Sequence, residues 1–308
     1  MKIYITYTKD SFTEEQLKQL NEVGEVIILE ELFDLDKAPY LEDDSEKILV
    51  ADPDWYNWDI NSEHLSKIKN LKAVCLSTTA FDWIDLDYCQ ENNIIVTNIP
   101  KYSTDSVAEY AIFLMMSLAK KFPLQIKTNY KTDYSLSMLT TEIRNKTVGI
   151  IGLGHIGLRI AEICSGLGMN VIYWNRKEKS VPYKYVDLDP LFSDSDFIIP
   201  TFVTNEETKK LITDDLINKM NNNALINIVN NPNEIYNHNL MLQKAEEGTI
   251  SYAFEKYDDK VIDDFEGNVM VTAPYAFYTK EAIDRLIAIW CENVVSVVKE
   301  TPQNIVSK

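Results

Sequence analysis

The chain has only nine glycines in 308 residues, and six of them, at positions 149, 152, 154, 157, 166 and 168, lie close together. They sit in and just after the run Thr147-Val-Gly-Ile-Ile-Gly152-Leu153-Gly154-His155-Ile156-Gly157. In so glycine-poor a sequence, that concentration implies a backbone requirement. An apolar stretch of strand character feeds a G-x-G-x-x-G pattern, and a helical pattern follows it. Gly152 permits a tight turn, Gly154 lets the main chain approach a pyrophosphate, and Gly157 allows the helix to pack closely on the strand. The helix then offers free N–H groups and its positive dipole end to phosphates, with His155 and Ile156 in the first turn. Without such flanks the pattern is an ordinary glycine turn. With them it reads as a dinucleotide site.

The next strand, Asn170 to Trp174, ends in Asn175-Arg176-Lys177. A site that prefers NAD places Asp or Glu at this position to accept hydrogen bonds from the ribose hydroxyls. A neutral Asn175 removes repulsion against a 2′-phosphate, and the Arg176 guanidinium suits that phosphate. The expected cofactor is therefore NADP(H) in preference to NAD(H). A solvated basic turn is the alternative reading.

Composition bounds the rest. The length suits two ordinary domains, and 45% hydrophobic with 25% charged residues matches a globular protein. A net charge of −18 argues against nucleic acid or an anionic membrane as a partner. No apolar run approaches membrane-spanning length, and Met1-Lys-Ile-Tyr-Ile-Thr-Tyr reads as a strand instead of a signal peptide. Cys75, Cys89, Cys164 and Cys291 form no C-x-x-C pair. Buried reduced thiols and a cytoplasmic location are expected. No metal-ligating cluster stands out.

Strand and helix patterns alternate from the first residue. Strands are expected at 2–7, 25–29, 48–51, 73–76 and 94–97, with helices at 13–23, 62–70 (Ser-capped) and 85–92. The acidic run 30–44 reads as a solvated connection. Residues 106–120 form the strongest helix, with capping groups from Ser103-Thr104-Asp105 and a Met-rich stripe suited to a core or a subunit interface. A second set of strands follows at 147–151, 170–174, 197–201, 224–228, 250–254 and 269–272. A long helix of about 280–300 ends the chain. The fold class is α/β, with two doubly wound, Rossmann-like parallel-sheet domains. The Asn-dense stretch 221–239 reads as compositional drift in turns.

Several segments together resemble the D-isomer-specific 2-hydroxyacid dehydrogenase family, in its D-lactate dehydrogenase-like branch, over nearly the whole chain. Thr97-Asn98-Ile99-Pro100-Lys101-Tyr102-Ser103 and Ser106-Val107-Ala108-Glu109 are similar to the family's run into its long interdomain helix. Gly152 to Gly157 matches its cofactor loop. Ser195-Asp196, Asn205 to Ile212 and Ala276-Phe277-Tyr278-Thr279 add to the likeness. The resemblance implies a flavodoxin-like substrate domain of 1–100 plus 283–308, a cofactor domain of 101–282 inserted into it, and an active site in the cleft between them. It also implies cofactor contacts at Val107, Thr201, Ile228 and Glu255, and a homodimer formed through helix 106–120.

The same resemblance implies departures at the family's catalytic positions. Asn230 stands where an Arg grips the substrate carboxylate, and Pro274 where a His exchanges the proton on the substrate oxygen. Lys260 stands, within a residue or two, where a Glu holds that His charged. Ser77-Thr78-Thr79-Ala80 replaces the glycines of the substrate loop. Of the three histidines, His155 belongs to the phosphate loop, His64 to an exposed helix and His238 to an exposed turn or helix start. Tyr102, Tyr275 and Tyr278 are the candidates for a rewired proton donor, assisted by Lys101 or Lys260. For each singly, aromatic packing is the plainer role. Ser77, Thr78 and Thr79 are candidates to hydrogen-bond a substrate.

Two functions stay open. One is an NAD(P)H-dependent oxidoreductase reducing a small oxo compound, other than a simple 2-oxo acid, with a non-standard proton donor. The other is an inactive family member, a pseudoenzyme acting as a nucleotide-binding sensor or partner subunit.

Overall fold

The computed structural model describes residues 1–228, 231–256 and 265–306. Twelve strands are found among them: β1 (Lys2–Ile5), β2 (Glu25–Ile28), β3 (Lys47–Ala51), β4 (Leu71–Leu76), β5 (Ile95–Thr97), β6 (Thr147–Ile151), β7 (Asn170–Trp174), β8 (Lys184–Tyr185), β9 (Phe197–Pro200), β10 (Ala224–Asn227), β11 (Ser251–Glu255) and β12 (Val269–Thr272). The α-helices are α1 (Glu14–Val23), α2 (Ser62–Ser66), α3 (Leu86–Glu91), α4 (Thr104–Ala119), α5 (Phe122–Lys127), α6 (His155–Gly166), α7 (Leu188–Asp194), α8 (Asp214–Asn218), α9 (Pro232–Ile235), α10 (His238–Glu246) and α11 (Lys280–Val298). The chain divides into two compact units, Met1–Tyr102 with Lys280–Lys308, and Ser103–Thr279.

The first unit is a parallel sheet in the order β2-β1-β3-β4-β5. All five residues of β3 are buried, as a central strand covered on both faces requires. α11 supplies one of those covers. Its residues Leu286, Ile287, Trp290, Cys291 and Val294 recur at helical spacing and pack on Ile3, Ile5, Phe12 and Leu20. Trp290 Nε1 donates to the Cys75 carbonyl at 2.7 Å, which fixes the helix over β4.

The second unit is a seven-stranded parallel sheet, β12-β11-β10-β9-β6-β7-β8. The order reverses between β6 and β9, the switch point of a doubly wound sheet. α4 buries Val107, Ala108, Ala111, Leu114, Met115 and Leu118 in the core with Val148, Ile150, Ile199 and Ile226. Its methionines divide: Met115 is fully buried, whereas Met116 is 38% exposed.

Some local expectations fail. α2 ends at Ser66 and is capped by Asn61, whose side chain accepts from the His64 N–H, so Ser62 is not the cap. His64 is not exposed. It lies buried between Tyr40 and Tyr56 and shares a 2.9 Å hydrogen bond with the Tyr40 hydroxyl. Ser103 makes no capping hydrogen bond at α4, and Asp105 pairs with Arg159 at 2.8 Å instead. The acidic run 30–44 holds two single turns of 3-10 helix, one of them burying Tyr40.

Asparagine has a larger part than drift. Seven of the thirteen described non-glycine residues with positive φ are Asn, at 57, 70, 93, 129, 145, 222 and 304. Asn is the side chain that best tolerates the left-handed region, so a glycine-poor chain turns on it. Within 221–239, Asn231 and Asn237 also cap α9 and α10. All four cysteines are buried and unbridged. No described helix is long and apolar enough to cross a membrane.

Candidate functional site

β6 runs into the glycine loop at the switch point. Gly152 has φ +93°, and a Cβ there would lie 2.9 Å from the Phe202 backbone nitrogen. At Gly157 a Cβ would lie 2.2 Å from the Gly152 carbonyl oxygen, so only glycine lets α6 start this close to the turn. Gly154 is different. A Cβ there would meet nothing within 4 Å, so the main chain borders open space. Gly154 is also the N-cap of α6 and has no side chain to cap it, which leaves first-turn N–H groups for a ligand. His155 is exposed and Ile156 half-buried at this end. The Thr201 hydroxyl donates to the Gly152 carbonyl and thereby holds the turn. These features fit the pyrophosphate of a dinucleotide.

The end of β7 adjoins the loop. Asn175 Oδ1 accepts from the Leu153 N–H at 3.3 Å, and its Nδ2 donates to the Lys177 carbonyl at 3.0 Å. Lys179 Nζ donates to the Leu153 carbonyl at 2.6 Å. Lys179 thus joins the phosphate-loop set although the sequence reading stopped at Lys177, and the basic character of 176–179 was the available signal. Arg176 pairs with Glu207 at 2.7 Å, with both side chains about 70% exposed (69% and 71%). An exposed pair of this kind is worth about 0–1 kcal/mol and yields readily to a better anion.

The remaining expected cofactor residues line the core of the same unit. Val107 is 7% exposed, Ile228 3% and Glu255 3%. Glu255 Oε1 accepts from the Ala276 N–H at 2.9 Å, and Ser106 Oγ donates to the Ala276 carbonyl at 2.6 Å. The segment after β12 is thereby pinned by both β11 and α4. Sequence reading missed Ser106 in this part, because its partner is 170 residues away.

That pinned segment carries Pro274, half-buried, and Tyr275 and Tyr278, both 62% exposed. The two tyrosine rings are 6.1 Å apart. Tyr102 belongs to the first unit, where it is buried and its carbonyl accepts from Arg285 Nε at 2.8 Å. Tyr275 and Tyr278 form a pair, and Tyr102 lies outside their unit. Asn230 and Lys260 lie outside the described residues.

His238 is not an exposed turn residue. It begins α10 half-buried, with Nδ1 2.8 Å from the Tyr252 hydroxyl and its ring against Phe254, and burial lowers its pKa. Among the first unit's loop residues, the Ser77 hydroxyl donates to Asp52 at 2.8 Å, Thr78 to the Ala80 carbonyl and Thr79 to the Ile99 carbonyl, both at 2.7 Å. Those hydroxyl protons are spent within the unit. Asp52, which the sequence reading passed over, is raised by burial to about 6, only partly offset by its bonds to Ser77 and the Asp54 N–H. No group of three or more His, Cys, Asp or Glu among the described residues is arranged to hold a metal.

Residues 112–255 match the family described as D-isomer specific 2-hydroxyacid dehydrogenase, NAD binding domain. Over 98% of this chain and 99% of its own length, a putative 2-hydroxyacid dehydrogenase of Staphylococcus aureus is 30% identical. Among solved structures, an acyclic imino acid reductase in complex with NADPH and D-Arg is 26% identical with a TM-score of 0.83, covering 99% of this chain and 100% of that one. A D-lactate dehydrogenase from Aquifex aeolicus, complexed with NAD and lactic acid, shares the fold at 23% identity and a TM-score of 0.82, covering 100% and 99%.

Proposed function

The chain belongs to the D-isomer-specific 2-hydroxyacid dehydrogenase family, and from that premise we propose that it is an NADPH-dependent reductase of a small C=N or C=O compound. One observation carries this reading: the cofactor loop keeps all three glycines with open space beside Gly154, while the resemblance puts Pro274 at the family's proton-donor position. Gly152, Gly154, Gly157 and the first turn of α6 hold the pyrophosphate. Thr201, Ile228 and Glu255 would serve the nicotinamide side, and Val107 would be a further cofactor contact. Asn175, Arg176 and Lys179 take the 2′-phosphate, since the end of β7 offers no carboxylate to repel it.

Bound NADPH supplies a hydride to an unsaturated carbon. Reduction of a ketone builds alkoxide character on oxygen and calls for a protein acid. A protonated imine brings its own proton, and its nitrogen becomes a neutral amine without one. A site with proline at the donor position therefore suits C=N better than C=O. The imino acid reductase, 26% identical over the full chain, supports that preference. For an oxo substrate the donor falls to Tyr275 or Tyr278, held by the Ala276 anchors. The protein works as a cytoplasmic homodimer, with Met116 and Phe113 of α4 in the contact.

The second reading, a nucleotide-binding sensor or partner subunit, is favoured by Pro274 together with a His238 committed to Tyr252. NADPH fluorescence separates the two. On mixing, the rise reports binding. Protein-dependent decay with a pool of 2-oxo acids, with and without ammonium or methylamine to form imines, is expected and fastest with amine present. A stable signal across the whole pool overturns the reductase reading and leaves the sensor.

A further inference from the structure

The turn after β7 is tied down from several sides. Tyr173 of β7 is fully buried, and its hydroxyl accepts from the Lys179 N–H at 2.9 Å while donating to the Lys179 carbonyl at 3.1 Å. One phenol oxygen can do both at once. It thereby holds the backbone of a residue six positions further along the chain. Asn175 Nδ2 closes the turn from within onto the Lys177 carbonyl, and the Tyr185 hydroxyl of β8 donates to the Asn175 carbonyl at 3.3 Å. The Tyr173 and Tyr185 rings meet edge to face, 5.6 Å apart.

A turn fixed in this way aims one side chain. Lys179 Nζ donates to the Leu153 carbonyl, and Asn175 Oδ1 accepts from the N–H of the same residue. Leu153 stands between Gly152 and Gly154. In a dinucleotide site the residue at the end of this strand meets the ribose hydroxyls. An ammonium that reaches the same loop residue as Asn175 is therefore on the ribose side of the cradle.

The neighbouring cations are placed differently. The Arg176 guanidinium turns to Glu207, and both side chains are largely exposed. Among the described residues the Lys177 ammonium has no hydrogen bond or ion pair, so nothing orients it. Lys179 differs from both. A carbonyl directs its ammonium without neutralising it and leaves donors over for an anion. No carboxylate among the described residues pairs with it.

We infer that Lys179 is the residue that selects NADPH over NADH, and that Tyr173 positions it. This rests on the NADPH reading of the cofactor site and deepens it, by naming which basic residue of the turn carries the preference. The competing role is internal: a lysine that only closes the glycine loop would serve either cofactor alike.

Fluorescence titration of the full chain with NADPH and with NADH decides between them. Wild type is expected to bind NADPH at least about tenfold more tightly. Lys179→Met keeps an unbranched chain and loses the charge, so the ratio of NADPH to NADH affinity should fall about tenfold, mostly through NADPH. Lys179→Arg should keep the ratio within about threefold of wild type, and Arg176→Met should lower it by no more than about threefold. Tyr173→Phe keeps the ring and should lower the ratio about threefold to fivefold. Combined with Lys179→Met it should lower the ratio no further, because the clamp acts through that lysine. Thermal unfolding checks that each variant folds.

Wild type that binds the two cofactors alike overturns the NADPH reading and the role of Lys179 together. A wild-type preference that survives in Lys179→Met, or that Arg176→Met lowers more, overturns the role of Lys179 alone. Losses that add in the double variant overturn the positioning by Tyr173. Lys179 is exposed, so its own variants keep the test in force even if Tyr173→Phe does not fold.

Discussion

The loops leaving β6 and β4 both stand at the C-terminal edge of a parallel sheet, and they treat their polar groups in opposite ways. After β6 the surface is made of backbone: Gly154 borders open space, and the first turn of α6 is uncapped by any side chain. After β4 it is made of side chains, and most are already engaged. Thr78 and Thr79 close onto their own and the neighbouring backbone, and Trp83 Nε1 donates to Thr78 Oγ1 at 3.0 Å. A backbone cradle recognises any pyrophosphate, so that loop can stay close to the family pattern while the substrate changes. A side-chain surface recognises only through the groups it leaves unengaged. The hydroxyls of Ser77, Thr78 and Thr79 build the edge, with Ser77 tied to Asp52, the cap of the turn that follows β3.

The sharpest way to break this contrast is Gly157→Ala. Its Cβ would need the space of the Gly152 carbonyl and the Thr201 hydroxyl, so the turn itself must shift. NADPH affinity, read by fluorescence titration, should fall about 100-fold or more, equivalent to about 2.8 kcal/mol. Unchanged affinity would mean that the loop does not hold the pyrophosphate.

A smaller effect is expected at the end of β7. Asn175→Asp places a carboxylate where a 2′-phosphate would sit, and its charge also opposes the Arg176 and Lys179 contacts to that phosphate. The ratio of NADPH to NADH affinity should drop about tenfold, mostly through NADPH. A ratio that does not move would assign the basic turn to solvent alone.

The smallest effect tests the other loop. Burial raises Asp52 to about 6, above its ordinary 3.8, so between those values the native state holds a proton that the unfolded chain has lost. Stability conferred by that proton is present at low pH and is lost as pH rises through about 6. Asp52→Asn removes this dependence and should be more stable than wild type by about 1–3 kcal/mol at pH 7.5, with little difference at pH 4. Urea unfolding at the two pH values measures it. A constant difference would show that Asp52 is solvated like a surface carboxylate.

Much of this was legible in advance because it is local. The glycine run, the apolar strand before it and the helix after it fall within about twenty residues, and each requirement acts on near neighbours. α4 and α11 were likewise plain from their periodicity. What escaped was set by distance along the chain. Nothing around His64 announces that Tyr40 and Tyr56 will enclose it, and an exposed helix was the natural expectation. His238 looked like a turn residue until Tyr252 and Phe254 were brought beside it. Ser106 gained its role from a carbonyl 170 residues later.

By itself the sequence determined the alternation of strands and helices, the place of the dinucleotide loop and the absence of a carboxylate at the end of β7, all properties of residues close in the chain. Only the tertiary structure decided which polar groups are spent and which remain. Ser77, Thr79 and Asp52 become partners or competitors through strand neighbours 20 or more residues apart. How far a half-buried carboxylate such as Asp52 is desolvated depends on what the fold packs against it, and composition carries no record of that.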